Sequence, residues 1–184
     1  MVRTLSLFVL VLALCGTAAA QGSDLSVGVG AYAVMFDWDA EGAEAFKYQG
    51  YTLTGTMALG PSSAIRGDLY FLKHEDHDEW KLEGFDAQFL LGSNLNRLGG
   101  KIYLLGGYWS ESFEHESSTA KSDDDNDRSG LMAGLGLGYN WRSASLDVWA
   151  AWRDDGAYTD DSDKTTEEPS LTVGCGAVAL TLRF

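Results

Sequence analysis

The sequence predicts an all-β fold: an eight-stranded antiparallel up-and-down transmembrane β-barrel, with four long loops at one end and three short turns at the other. Three observations predict it. Eight segments alternate apolar and polar residues with the two-residue period of a strand. The connections between them are short and long in turn. The last segment, residues 171–184, sets Val178, Leu180, Leu182 and Phe184 on one face against Ala177, Ala179, Thr181 and Arg183, and runs to Phe184 with no polar tail. A closed barrel accounts for such a strand, because its last strand pairs with its first and its apolar face meets lipid.

In chain order, residues 25–36 place Leu25, Val27, Val29, Ala31, Ala33 and Met35 on one face. Residues 48–59 oppose Tyr51, Leu53, Met57 and Leu59 to Thr52, Thr54 and Thr56. Residues 64–72 oppose Ile65, Leu69 and Phe71 to Arg66, Asp68 and Tyr70, and residues 84–91 oppose Phe85, Ala87, Phe89 and Leu91 to Asp86 and Gln88. Residues 98–109 oppose Ile102, Leu104 and Tyr108 to Lys101 and Tyr103. Residues 130–141 oppose Leu131, Ala133, Leu135, Leu137, Tyr139 and Trp141 to glycines at 134, 136 and 138. Residues 145–153 oppose Leu146, Val148, Ala150 and Trp152 to Asp147 and Arg153. With 171–184 these make eight segments of roughly ten residues, the spanning length of a tilted strand, and an even number returns both ends to one side.

The short connections are 60–63, 92–97 and 140–143; the long ones are 37–46, 73–83, 111–128 and 154–170. Of the 27 acidic residues, 23 fall in the long connections, beside only Lys73, Lys81, Lys121, Arg128 and Lys164, so these loops carry a net charge of −18. The short turns hold Arg97 and Arg142 and no acid. Aromatic residues gather near the loop ends (Phe36, Trp38, Tyr48, Tyr51, Phe71, Phe85, Tyr108, Trp109, Trp152) and near the turn ends (Tyr139, Trp141, Phe184). Two such sets are expected as interfacial girdles.

Residues 1–20 read as a cleaved secretory signal: Arg3, a short apolar run over 5–15, and Ala18-Ala19-Ala20 before Gln21. A signal anchor and a lipoprotein are the alternatives, although Leu14 is too large to precede a lipidated Cys15. The barrel domain is then 21–184, with Cys175 as its lone cysteine and no intramolecular disulfide. Its charge is −15, the whole-chain −14 less Arg3, and this sign excludes nucleic acid as a partner. No later segment is apolar enough for a transmembrane helix.

The inward face offers Arg66, Lys101, Arg153 and Arg183 against Asp68, Asp86 and Asp147, a set expected to pair across a narrow lumen as a polar network. A solute path through that network is the competing reading. The glycines at 134, 136 and 138 either leave a cavity or make room for larger side chains from opposite strands. His74, His77 and His115 all fall in long loops, where the run 74–79 mixes imidazoles and carboxylates that suit a transition metal but lacks orienting neighbours. Asp123, Asp124, Asp125 and Asp127, with Asp160, Asp161 and Asp163, supply oxygens for diffuse divalent-cation binding, without the ordered twelve-residue calcium loop. Residues 117–128 are low in complexity. No strand-borne His–Ser pair offers a nucleophile with its base, and His115-Glu116-Ser117 is only a local trio, so the chain is expected not to be an enzyme and to need no cofactor.

The whole of 21–184, in pattern, topology and terminal strand, resembles the small eight-stranded outer-membrane barrels typified by OmpX and the transmembrane domain of OmpA. The resemblance implies a bacterial outer membrane, long loops outside and short turns in the periplasm, and Phe184 as a signal read by the barrel-assembly machinery. It also implies a monomer in contact with outer-membrane lipid and lipopolysaccharide. The expected function is a structural or cell-surface role in which acidic loops meet cations, lipopolysaccharide or external ligands. The alternatives are a narrow pore or lateral transporter and, further off, a lipid A-modifying enzyme. A soluble lipocalin-like barrel would need the opposite arrangement of Arg66, Asp68, Asp86 and Lys101.

Overall fold

The computed structural model describes residues 25–39, 45–77, 79–115, 127–158 and 171–184. They form β1 (Leu25–Trp38), β2 (Phe46–Ala58), β3 (Ser63–His74), β4 (Trp80–Ser93), β5 (Gly99–His115), β6 (Asp127–Asn140), β7 (Ala144–Arg153), a 3-10 turn (Asp155–Ala157) and β8 (Leu171–Arg183). Each strand pairs antiparallel with the next, and β1 pairs with β8, so the sheet closes as one barrel in sequence order. Closure leaves no strand edge with unpaired backbone groups, the condition for crossing lipid.

All eight predicted segments are strands, and their alternation sorts inside from outside. Val29, Leu53, Ile65, Phe89, Leu104, Leu135, Leu137 and Leu180 are exposed on the outer surface, while Arg66, Asp68, Asp86, Asp147 and Arg153 are buried within. Outward positions carry no charge between Asp37, Lys47, Lys73, Lys81 and Glu83 at the loop end and the turns at the other. The girdle divides. Tyr51 stacks on Phe71 with ring centroids 5.3 Å apart, and Tyr108, Trp152, Tyr139, Trp141 and Phe184 are exposed as expected. Phe36, Tyr48 and Trp109, however, are buried inside, and Trp38 packs against them. They sit on the inward phase of their strands, which a count of aromatics near strand ends ignores.

The strands run further at the loop end than the hydropathy pattern does. β4 begins at Trp80 and β5 ends at His115, so the second loop shrinks to 75–79. Backbone pairing continues after the outward face turns polar, because the ladder needs no apolar side chain. His74 and His115 therefore belong to strands, not loops, and so do Glu111 and Arg128. Residues 1–20, Asp123, Asp124, Asp125, Asp160, Asp161 and Asp163 lie outside the described residues; Asp127 opens β6, exposed.

At the turn end the β4–β5 connection folds under the barrel. Leu95 is buried there, and Asn140 Nδ2 donates to the carbonyls of Asn94, Leu95 and Arg97 at 3.0, 3.2 and 2.9 Å. Gly99 adopts φ +105°, which an L side chain rarely tolerates, and so allows the chain to re-enter β5.

Candidate functional site

The barrel interior is the most chemically elaborate region of the described chain. It holds two clusters of charge. The one nearer the turns is centred on Asp147 of β7. Arg66 donates from Nη2 to Asp147 Oδ1 at 2.9 Å, from Nη1 to the Tyr103 hydroxyl at 3.0 Å and from Nε to Thr56 at 3.2 Å. Lys101 Nζ donates to Asp147 Oδ2 and to Ser145, both at 2.8 Å. Tyr103 and Ser145 add further bonds to the same carboxylate, each at 3.0 Å. Two cations thus share one acid.

The second cluster is centred on Arg153, nearer the loops. Its Nη1 donates to Glu111 Oε2 at 2.5 Å, and its Nη2 reaches Tyr32, Tyr70 and Asp86 at 2.9, 3.0 and 3.2 Å. Tyr32 donates to Asp86 Oδ2 at 2.5 Å and stacks on Tyr70. The guanidinium also lies over the Trp109 and Tyr70 rings, 5.0 and 5.3 Å from their centroids. One cation here joins two carboxylates and two aromatic faces.

Above it the chain leaving β7 turns back into the mouth. The Asp154 side chain caps the 3-10 turn by accepting from Gly156 N, and Tyr158 then lies flat on Trp109, 5.0 Å away with planes 9° apart. The Tyr158 hydroxyl donates to Glu111 Oε1, and Arg128 sits over its ring. Burial, and secondly the neighbouring Glu111 carboxylate, push the Tyr158 phenol above its ordinary value. A phenol with a raised pKa stays protonated when the unfolded chain has already ionised. Its stabilisation is therefore complete below about pH 10 and is lost as pH rises beyond. Tyr158→Phe should accordingly be less stable than wild type at pH 8, by about 1 kcal/mol, and should show a smaller further loss between pH 8 and pH 11. Urea midpoints of both proteins at the two pH values check this.

Six of the seven predicted interior residues, Arg66, Asp68, Asp86, Lys101, Asp147 and Arg153, lie buried inside. Arg183 departs from the expectation. It is half-buried at the turn end and donates to the carbonyls of Asn96 and Trp141 at 2.7 and 3.0 Å, because its position is the last of β8 and the turns supply the nearest acceptors. Glu111, assigned above to a loop, replaces it in the network at 2 % exposure. Its odd-numbered phase after Lys101, Tyr103 and Trp109 was the signal. Tyr32 carried the same signal, on the phase opposite Ala31 and Ala33, and Tyr158, beyond the last alternating residue of its segment, carried none. The glycines of β6 make room rather than a cavity: a Cβ at 136 would strike the Tyr103 ring, and one at 138 would meet Lys101 Cε at 2.7 Å. The side chains they admit come from the adjacent strand β5, not from opposite strands.

At the rim, His74 is buried between Tyr48, Phe46, His77 and Trp80, and its Nδ1 accepts from Asp76 N at 3.1 Å. Among the described residues no three His, Cys, Asp or Glu side chains converge to hold a metal.

The sequence matches the outer membrane protein β-barrel domain over residues 6–167. No curated protein matches it. Among solved structures, Ail, the attachment invasion locus protein of Yersinia pestis, superposes with a TM-score of 0.56 at 14% identity, covering 88% of this chain and 99% of that one. Neisserial surface protein A gives 0.60 at 12% identity, over 87% and 97% of the two chains. OprG of Pseudomonas aeruginosa gives 0.53 at 14%, over 88% and 96%. These likenesses are of fold.

Proposed function

The chain belongs to the outer membrane protein β-barrel family and is a bacterial outer-membrane protein; on that premise we propose that it works as a sealed barrel presenting acidic loops at the cell surface, not as a pore or an enzyme. The observation that carries this reading is the filled lumen. Asp147 is saturated by Arg66, Lys101, Tyr103 and Ser145, and Arg153 spans from β7 to β1, β3, β4 and β5. Tyr158 covers the loop end and Leu95 the turn end. A solute would have to break buried charge-assisted bonds before it could pass.

In this reading the loops face outward, and the connections between the observed strand ends (39–45, 75–79, 116–126 and 154–170) carry a net charge of −16, which selects partners of positive sign. Divalent cations held between loop carboxylates and lipopolysaccharide phosphates fit that sign. The polysulfated heparin analogue bound by Ail does not. The outward apolar band meets lipid. Planar-bilayer recording on the refolded protein tests the sealed lumen. Silence at all voltages in monovalent salt is expected, and reproducible unitary steps that scale with salt concentration would replace this reading with the transporter.

A further inference from the structure

The ion pairs of the interior do not balance. Among the described residues the buried charged side chains are three cations, Arg66, Lys101 and Arg153, and four carboxylates, Asp68, Asp86, Glu111 and Asp147. Arg66 and Lys101 both pair with Asp147, a group of net charge +1, and Arg153 pairs with Asp86 and Glu111, a group of net charge −1. Asp68 is left over. It is 1 % exposed, and among the described residues no Lys or Arg lies within ion-pair distance of it. Its partners are neutral: Gln88 Nε2 donates to Oδ2 at 3.0 Å, and Thr54 bonds from the paired position on β2.

Two further observations sharpen the imbalance. Asp68 stands directly opposite Asp86 in the β3–β4 register, both inward, a like-charge pairing that is unfavourable on its own. The Asp68 Oδ1 and Gln88 Oε1 atoms are also both buried without any hydrogen-bond partner, and Gln88 is 2 % exposed. One carboxylate oxygen and one amide oxygen, on two residues joined by the Gln88–Asp68 hydrogen bond, are thus left as acceptors without a donor. A water would supply hydrogens but not charge, and burying a lone charge is the costlier defect.

We propose that Asp68 and Gln88 form an interior site for one small monovalent cation, Na⁺ in particular. The donor set is hard oxygen, which suits such an ion. The excess is one carboxylate, so a divalent ion would overshoot and leave the interior positive. The groups facing the site are Asp86 on β4, Arg66 on β3, Asp147 on β7 and the Thr54 hydroxyl on β2. With the ion bound, the interior is neutral.

The test is urea unfolding of the whole protein refolded in a non-ionic detergent, in NaCl against choline chloride at equal ionic strength and pH 7.5. Na⁺ at ten times its dissociation constant should raise the midpoint by about 0.5 M, with a saturable dependence on Na⁺. Asp68→Asn, which removes the charge and keeps the shape, should lose this difference. Gln88→Met, which keeps the charge and removes one oxygen, should shift half-saturation to higher Na⁺, and it provides the second variant if Asp68→Asn does not refold. Equal wild-type midpoints in the two salts overturn the proposal. If acidification then stabilises wild type but not Asp68→Asn, the compensating charge is a proton. A Na⁺ effect that survives in Asp68→Asn also overturns it, since the ion then acts elsewhere.

Discussion

Replacing Arg153 with methionine should cost about 3–5 kcal/mol, the largest loss expected from any single interior change. The side chain is wholly buried, and so are both of its acidic partners, Asp86 and Glu111. Methionine fills most of the same length but leaves two carboxylates facing each other without a cation. Tyr32 and Tyr70 still donate to them, but hydroxyls do not cancel charge. The urea midpoint in lipid vesicles should fall by roughly 2 M. Adding Asp86→Asn and Glu111→Gln should restore most of it, because the penalty belongs to the uncompensated charge and not to the missing bonds. Lys101→Met makes the contrast. Asp147 keeps Arg66, so that loss should be about 1–2 kcal/mol. Equal losses for Arg153→Met and Lys101→Met would mean the two clusters do not divide the charge as described.

Gly28→Ala should be nearly as damaging, for a reason of backbone and not of charge. Gly28 pairs with Thr181 across the seam where β1 meets β8. A Cβ there would overlap the Leu180 carbonyl oxygen and lie 2.5 Å from Thr181 Cα. Both are main-chain atoms held in the ladder, so neither can swing aside. The strands must separate at the contact that closes the barrel. A loss of about 3 kcal/mol is expected, together with loss of the heat-dependent gel mobility shift that a closed, detergent-stable barrel gives. Gly100→Ala is the matched control. Nothing lies within 4 Å of its added methyl, and it should change stability by less than about 0.5 kcal/mol.

Much of this architecture was legible in the chain because the strand period is two. Arg66, Asp68, Asp86 and Asp147 each sit between non-polar neighbours on the lipid-facing phase, and Arg153 follows Trp152 on that phase, so their inward direction follows from parity alone. Glu111 shows the limit. Its parity is correct, but the outward phase beside it, Ser110 and Ser112, is polar, so the hydrophobic signal of a strand stops before the strand does. Phe36, Tyr48 and Trp109 fail differently. They are aromatic and near strand ends, which suits a girdle, but their phase turns them inward to form the floor beneath Tyr158.

Local pattern determined the number of strands, the face each residue takes and the lipid-facing band, because all three depend only on alternation along one strand and on connection length. Which acid each cation takes could not be read in that way. Arg153 and Glu111 are 42 residues apart, and Arg66 and Asp147 are 81 apart. Their meeting depends on strand stagger and on the radius at which eight tilted strands close. Only the closed barrel decided that Asp147 receives two cations, that Asp86 and Glu111 share one, and that Asp68 receives none. Alternation is a property of neighbours in sequence; charge balance inside a lumen is a property of every strand at once.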